Sequence, residues 1–160
     1  MNPGRMKFLA DVMLGRLAKW LRILGYDTLY FRDMEDRELI RRALQDDRVL
    51  LTRDRELSRR DGFRVLLIDA EDLESQLAQI LKTMNVEPRI GDEIRCPLCN
   101  RVLEDISRQD IEDEVPRYVW KTHREFSRCP GCGRIFWKGT HWDRIRERLR
   151  RVGYHLTADD

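Results

Sequence analysis

Residues 48–57 read "RVLLTRDREL", a short apolar run that ends in a threonine, an arginine and an aspartate before a charged segment begins. The run "RVLLT" has the composition of a buried strand, and residues 54–60 have that of a short helix. The same order occurs upstream, where "KFLAD" at residues 7–11 places Asp11 after an apolar strand and before a helix. Each of these junctions predicts a strand that is followed by a helix.

The alternation of strands and helices extends through the first half of the chain. Strands are predicted at residues 6–10, 27–31, 48–52 and 63–68, and helices at residues 12–24, 36–44, 54–60 and 69–84. Gly25 is predicted to end the first helix, as a glycine just after a helix commonly does. On that helix Arg16, Lys19 and Arg22 fall on the side opposite the apolar residues. This order predicts an α/β domain with a parallel sheet, flanking helices and right-handed crossovers.

The pattern changes near residue 88, where proline and glycine interrupt the segment "NVEPRIGDE". We therefore predict a first domain at residues 1–88 and a small second domain at residues 89–142. The second domain contains an acidic stretch, "EDISRQDIEDEVP", that we expect to form an exposed loop. Residues 143–160 are predicted to form a basic helix, at 143–152, and a tail.

The four cysteines form two C-x2-C pairs, Cys96 with Cys99 and Cys129 with Cys132. Four thiolates can complete a tetrahedral shell around Zn²⁺. Asn100 and Gly133 follow the two pairs, and both tolerate the left-handed backbone that a metal knuckle requires. We predict a structural zinc ribbon that activates no water, because the four sulfurs leave no open coordination position. Iron in the same shell and dithiol pairs without metal are the alternatives.

Composition indicates a folded protein without revealing a partner. The chain has 160 residues, 41% of them hydrophobic, which is enough for one core and a small appended module. Its net charge is only +2, from 31 basic and 29 acidic residues. No apolar run approaches the roughly 20 residues that span a bilayer, and "MNPGRMKFLAD" lacks the apolar core of a signal peptide. We therefore expect a cytoplasmic protein that does not associate with membranes.

Three aspartates stand near the predicted ends of strands. Asp11 and Asp54 follow the first and third strands, and Asp36 opens the second helix. Ligands of parallel α/β sheets bind outside the carboxyl ends of the strands, so neighbouring first and third strands would bring Asp11 and Asp54 to one crevice. Two carboxylates about 4 Å apart repel by roughly 4 kcal/mol at an effective dielectric of about 20, which a cation offsets. Hard oxygen ligands suit Mg²⁺ or Mn²⁺, which can activate water and stabilise a phosphoryl transition state.

Each aspartate has a second interpretation, as the N-cap of the helix that it precedes or opens. One such residue alone would favour a cap, whereas two at strand ends with a third nearby favour the metal site. The two roles are compatible. Other phosphate chemistries lack their motifs, since the chain has no G-x-x-x-x-G-K-[ST] loop, no G-x-G-x-x-G after a strand and no serine elbow.

Five segments together resemble a known family. They are "KFLADVMLGRLAKWLRILGYDT", "DRELIRRA", "RVLLTRDREL", "CPLCN" and "CPGCGRIFWKGTHW". They look like the mutator-seven C-terminal ribonuclease family, which is described as a PIN-like nuclease domain carrying a zinc ribbon, and the match runs from about Lys7 to Trp142. The resemblance implies a metal-dependent ribonuclease whose acidic active-site residues correspond to Asp11, Asp36 and Asp54.

The resemblance also implies a fourth acid, whose position is less definite. PIN domains commonly supply another acid, for which Asp69, just after the fourth strand, is a candidate by position and Glu56 is a second one. Three basic residues near the strand ends are candidates for holding the RNA backbone, or else are exposed charges: Arg16, Lys19 and Arg53.

Two functions follow from the sequence. In the first, the three aspartates hold Mg²⁺ or Mn²⁺ and the protein hydrolyses RNA phosphodiester bonds. In the second, the aspartates are helix caps and the protein is a non-catalytic module that binds RNA or a ribonucleoprotein through its structural zinc ribbon. The sequence identifies no protein partner, no particular RNA and no oligomeric state.

Overall fold

The computed structural model describes residues 6–88 and 93–154. The chain divides into two compact units, with the division between Asn100 and Arg101. The first cysteine pair therefore belongs to the N-terminal unit and the second to the C-terminal unit.

The N-terminal unit alternates strands and helices in the predicted order. Its elements are β1 (Phe8–Ala10), α1 (Gly15–Ile23), β2 (Thr28–Tyr30), α2 (Asp36–Gln45), β3 (Val49–Thr52), α3 (Arg55–Ser58), β4 (Val65–Leu67) and α4 (Leu73–Met84). A short 3-10 helix at Val12–Leu14 precedes α1. Gly25, with φ of 90°, follows α1 as predicted. The α4 helix begins later than residue 69 because the side chain of Asp72 caps it by accepting the Ser75 N–H.

The four strands form one parallel sheet in the order β2-β1-β3-β4. This confirms the predicted α/β architecture. It also shows that the first and third strands are neighbours, which is the condition for bringing Asp11 and Asp54 to one crevice. The chain leaves β1 toward β2 on one side and then crosses to β3 on the other. A ligand crevice in such sheets opens at this change of direction, outside the carboxyl ends of the central strands.

The sheet is held by an apolar core that covers its central strands. Leu9 of β1 and Leu50 of β3 are fully buried and pack with Leu39, Ala43 and Leu57 from α2 and α3. Burial of one such leucine side chain contributes about 1.5–3 kcal/mol. The central strands are therefore firmly placed, and so are the residues at their carboxyl ends.

Arg22 is buried, although it falls on the side of α1 opposite the apolar residues. Arg16 and Lys19 are exposed, as their position opposite the apolar side suggests, but Arg22 is only 6% exposed. Its guanidinium donates hydrogen bonds to backbone carbonyls, including that of Thr28 at 2.8 Å. A guanidinium can be buried only where its N–H donors find acceptors, and here the fold supplies them.

The C-terminal unit is built on a small antiparallel sheet. Its elements are β5 (Glu104–Ile106), α5 (Arg117–Thr122), β6 (Phe126–Arg128), β7 (Ile135–Trp137) and α6 (Thr140–Arg151), with a 3-10 helix at Arg108–Ile111. The strand order is β5-β6-β7. The basic helix predicted at 143–152 is present, and Ile145 and Leu149 on one side of it are buried.

The acidic stretch at residues 104–116 is not the exposed loop that its composition suggested. It contains β5 and the 3-10 helix, and its Ile111 and Val115 are buried against Val119 and Phe126. Its acidic residues remain exposed. The prediction was wrong because a few apolar residues anchor a segment whose average composition is strongly polar. Within the described ranges, no helix is long and apolar enough to cross a bilayer.

Candidate active site and metal centre

Asp11 stands at the carboxyl end of β1 and is only 6% exposed. Its backbone N–H donates to the carbonyl of Leu51 in β3 at 3.0 Å. Its Oδ1 accepts the Met13 N–H at 2.9 Å, which caps the 3-10 helix. Its Oδ2 accepts the Thr52 hydroxyl at 2.5 Å and the Arg53 N–H at 3.2 Å. Three hydrogen bonds, one from the 3-10 helix and two from the end of β3, therefore fix the orientation of this carboxylate.

Asp54 follows β3 and caps α3. Its Oδ1 accepts the N–H groups of Glu56 at 2.7 Å and Leu57 at 3.2 Å. Its own backbone N–H donates to the Thr52 hydroxyl at 2.9 Å. The side chain is exposed, and its Oδ2 makes no hydrogen bond within residues 6–88 and 93–154. One carboxylate oxygen of Asp54 is therefore open to solvent and to a ligand.

Thr52 connects these two aspartates and was missed by the sequence reasoning. Its side chain is fully buried at the end of β3 and contacts Asp11 and the backbone of Asp54 through one hydroxyl. The available signal was a polar residue that ends an otherwise apolar strand two positions before an aspartate. By sequence alone, this threonine is part of the predicted strand and has no further role.

Asp36 is placed differently from the other two. It is the first residue of α2, whose N-cap is Glu35, and Glu35 makes no side-chain capping hydrogen bond. Its Oδ2 lies 3.7 Å from Nη2 of Arg60 in a partly exposed ion pair. The cap interpretation therefore describes Asp11 and Asp54 but not Asp36.

The remaining candidates are exposed or only partly buried. Asp69 follows β4 and pairs with Arg55 at 3.7 Å, with 63% and 74% of the two side chains exposed. Exposed pairs of this kind contribute about 0–1 kcal/mol, so Arg55 does not fix Asp69 strongly. Glu56 is exposed in the first turn of α3. Arg53 is half-buried, and its backbone rather than its guanidinium contacts Asp11.

The structure joins Asp11 and Asp54 through Thr52 but does not gather all three aspartates. Among the residues that it describes, the only group of three or more His, Cys, Asp or Glu side chains placed to hold one ion is formed by the cysteines. An ion shared by Asp11, Asp36 and Asp54 therefore stays a prediction.

The four cysteines form a candidate metal centre. Their Sγ atoms all lie within 4.8 Å of one another, in the set Cys96, Cys99, Cys129 and Cys132. None of these cysteines is in a disulfide. Zinc–sulfur bonds of about 2.3 Å in a tetrahedron separate the sulfurs by roughly 3.8 Å, so small adjustments fit this set to a zinc-sized ion.

The two knuckles have matching backbones. Asn100 N–H donates to the Cys96 carbonyl and Gly133 N–H to the Cys129 carbonyl, each at 2.9 Å. Both residues have left-handed φ, 66° for Asn100 and 74° for Gly133, which confirms the predicted turns. In the second knuckle the N–H groups of residues 131 and 132 lie 3.4 and 3.5 Å from Sγ of Cys129. Such N–H donors orient the sulfur that would bind a metal.

The chain is similar to a known family of protein domains. No curated protein matched the chain, and no solved structure did. The family model of the Mut7-C RNAse domain matched residues 6–149, which include the sheet, its carboxyl-end aspartates and all four cysteines. This confirms the resemblance that the sequence segments indicated. The chain belongs to the Mut7-C RNAse domain family.

Proposed function

We propose that the protein is a metal-dependent ribonuclease that hydrolyses RNA phosphodiester bonds with a Mg²⁺ or Mn²⁺ ion held by Asp11, Asp36 and Asp54. The observation that carries the proposal is the Thr52 hydroxyl, which links Asp11 to Asp54 where β1 and β3 lie side by side. Membership of an RNase domain family supports RNA as the substrate. A cytoplasmic location and zinc in the four-cysteine site belong to the same proposal.

The side-chain hydrogen bonds of Asp11 and Asp54 leave acceptor capacity for a cation. An ionised carboxylate offers about four lone-pair directions. Asp11 uses three of them within the described part of the chain, and Asp54 uses only Oδ1. When bound, a hard divalent ion lowers the pKa of water and offsets charge on phosphoryl oxygens. The role of Asp11 and Asp54 is to hold such an ion at the crevice.

Asp36 is proposed as the third ligand and Asp69 as a possible fourth acid. The ion pairs of these residues with Arg60 and Arg55 are long, at 3.7 Å each, and partly exposed. Pairs of that kind are weak, so a divalent ion could replace the arginines at little cost. Displacement of Arg60 from Asp36 would also release a cation near the substrate.

The RNA backbone is proposed to contact Arg16, Lys19 and Arg53. Arg16 and Lys19 are exposed on α1, which begins a few residues after Asp11. Arg53 directly precedes Asp54. Contacts of lysine and arginine with phosphates give affinity that does not depend on base sequence and that falls as salt rises.

The test uses purified full-length protein and a mixed set of RNAs. We expect cleavage with Mg²⁺ or Mn²⁺, none with EDTA, and a loss of at least about 100-fold in Asp54→Asn. The matched control is Asp47→Asn, because Asp47 lies before β3, at the opposite end of the strand from Asp54, and asparagine tolerates its left-handed φ of 51°. Cleavage that survives both EDTA and Asp54→Asn would come from a contaminant and would overturn the proposal.

A non-catalytic RNA- or ribonucleoprotein-binding module is the second candidate. The capping hydrogen bonds of Asp11 and Asp54 favour it, as does the absence, among the described residues, of a three-carboxylate group. In that case RNA would bind equally well to the wild type and to Asp54→Asn, and neither protein would cleave it with any divalent ion. Filter binding beside the cleavage assay separates the two functions.

A further inference from the structure

Arg22 makes an arrangement of contacts that the nuclease proposal does not use. It lies near the end of α1, is 6% exposed, and its Nε donates to the Thr28 carbonyl at 2.8 Å. Its Nη1 donates to the carbonyls of Pro97 at 2.8 Å and Leu98 at 3.0 Å. Pro97 and Leu98 are the two residues between the cysteines of the first knuckle. A buried guanidinium therefore forms hydrogen bonds with the backbone of the candidate metal-binding loop.

Asn100 attaches the other end of the same loop to β2. Its Oδ1 accepts the Thr28 N–H at 3.0 Å, and its Nδ2 donates to Oδ1 of Asp27 at 2.7 Å. Asp27 is held in turn by Arg48, at 2.8 Å to Oδ1 and 3.2 Å to Oδ2. The knuckle is thus bound at its centre by Arg22 and at its exit by Asn100. Arg22 and Asn100 both hydrogen-bond to the backbone of Thr28, the first residue of β2.

The charge of Arg22 suits this position. A divalent ion with four thiolates carries a net charge of about −2, which is costly to hold near buried surface without a counter-charge. Arg22 lies close enough to Cys96 and Cys99 for their charges to act on it. The guanidinium therefore offers both hydrogen bonds to the loop and a positive charge to the thiolates.

We propose that Arg22 is a positioning residue of the four-cysteine metal centre, acting through the Pro97 and Leu98 carbonyls. The α1 helix and β2 strand then order the first knuckle before metal binds. Metal binding therefore has a smaller entropic cost, because the loop is already ordered. Partners that orient metal ligands typically change metal affinity by 10–100-fold. Metal affinity thus depends on the N-terminal unit, and this holds whether or not the protein cleaves RNA.

The experiment titrates metal-free full-length protein with Co²⁺ and follows thiolate-to-cobalt absorption, then measures Zn²⁺ affinity by competition. We expect Arg22→Met to bind both ions roughly 10–100-fold more weakly. Arg22→Lys should recover part of the affinity, because lysine keeps the charge and a donor but lacks the planar fork. The control Leu39→Ala removes a buried side chain of the α2 core that is remote from the knuckle in sequence. It should lower the thermal midpoint with affinity unchanged within about twofold.

Two results with Arg22→Met and its control would overturn the proposal. One is wild-type affinity and absorption in Arg22→Met. The other is an equal loss of affinity in Leu39→Ala, which would mean that any loss of stability weakens the site. If Arg22→Met does not fold, Asn100→Gly serves instead, since glycine keeps the left-handed turn and removes only the side-chain bonds to Asp27 and Thr28. Unchanged Co²⁺ affinity in that variant would also reject the proposal.

Discussion

The hydroxyl of Thr52 donates a hydrogen bond to Oδ2 of Asp11 at 2.5 Å. The same hydroxyl accepts the backbone N–H of Asp54 at 2.9 Å. One buried side chain at the end of β3 thereby sets the orientation of the carboxylate after β1 and the backbone of the next aspartate. The three residues act as a unit, and changing the middle one should affect both ends.

Thr52→Val tests this unit, because valine has nearly the same shape and lacks the hydroxyl. It leaves a donor at Asp54 and an acceptor at Asp11 without their partner, which should lower the free energy of unfolding by about 1–3 kcal/mol. We also expect RNA cleavage to fall. Thr52→Ser keeps the hydroxyl and is the matched control for urea unfolding and for the cleavage assay. Equal cleavage by the valine and serine variants would show that the hydroxyl does not position the site.

Asp27 should make stability depend on pH in the acid range. Burial raises the pKa of Asp27, but hydrogen bonds from Arg48 and Asn100 and the charges of Arg48 and Arg95 outweigh burial and hold its pKa below the ordinary value of 3.8. Because the folded pKa is the lower one, ionised Asp27 stabilises the fold above the unfolded pKa. That contribution is lost as the pH falls from about 3.8 through the folded pKa.

Asp27→Asn should therefore be less stable than the wild type at pH 7, and the difference should shrink as the pH falls below about 4. The measurement is the free energy of unfolding in urea between about pH 3 and pH 7. Metal-free protein is required because acid also protonates thiolates and releases metal. A difference that stays constant over the whole range would contradict the role assigned to Asp27.

Removal of the metal should affect the two units unequally. The N-terminal unit has its own apolar core around Leu9 and Leu50, whereas small zinc modules gain on the order of 10–16 kcal/mol from the metal. After chelation, or in Cys129→Ser, we expect the C-terminal part to unfold while residues 1–88 stay folded. Limited proteolysis with mass spectrometry identifies the protected fragment. Simultaneous digestion of both parts would show that the parts on either side of the predicted boundary near residue 88 do not fold independently.

Ile111→Ala should destabilise the C-terminal unit even with metal bound. Ile111 is fully buried with Val115, Val119 and Phe126, and truncation of such a side chain costs about 2–5 kcal/mol. Glu112→Gln changes an exposed neighbour and is the control. Thermal unfolding of zinc-loaded protein should show a lower transition only for the alanine variant. An unchanged transition would mean that the acidic stretch behaves as a loop after all.

The order of strands and helices could be predicted because apolar periodicity is a local property of the chain. The same is true of the left-handed turns at Gly25, Asn100 and Gly133, which follow from residue type and position. The spacing of the cysteines indicated that they come together, because two C-x2-C pairs are typical of four sulfurs around one metal ion. For the aspartates, the adjacency of β1 and β3 lets the Thr52 hydroxyl contact both the Asp11 carboxylate and the Asp54 backbone. An ion shared by Asp11, Asp36 and Asp54 stays a prediction.

The burial of Arg22 and Thr52 was visible only in the folded structure, because each side chain is held by partners far away in the chain. A helical pattern counts Arg22 as a polar residue and expects solvent, but its acceptor at Pro97 lies 75 positions further along. Thr52 meets Asp11 across 41 positions, and no periodicity connects them. Burial of a polar side chain is favourable only where distant backbone or side-chain groups complete its hydrogen bonds. Local sequence therefore specified the elements, and packing between them specified which polar groups became buried and fixed.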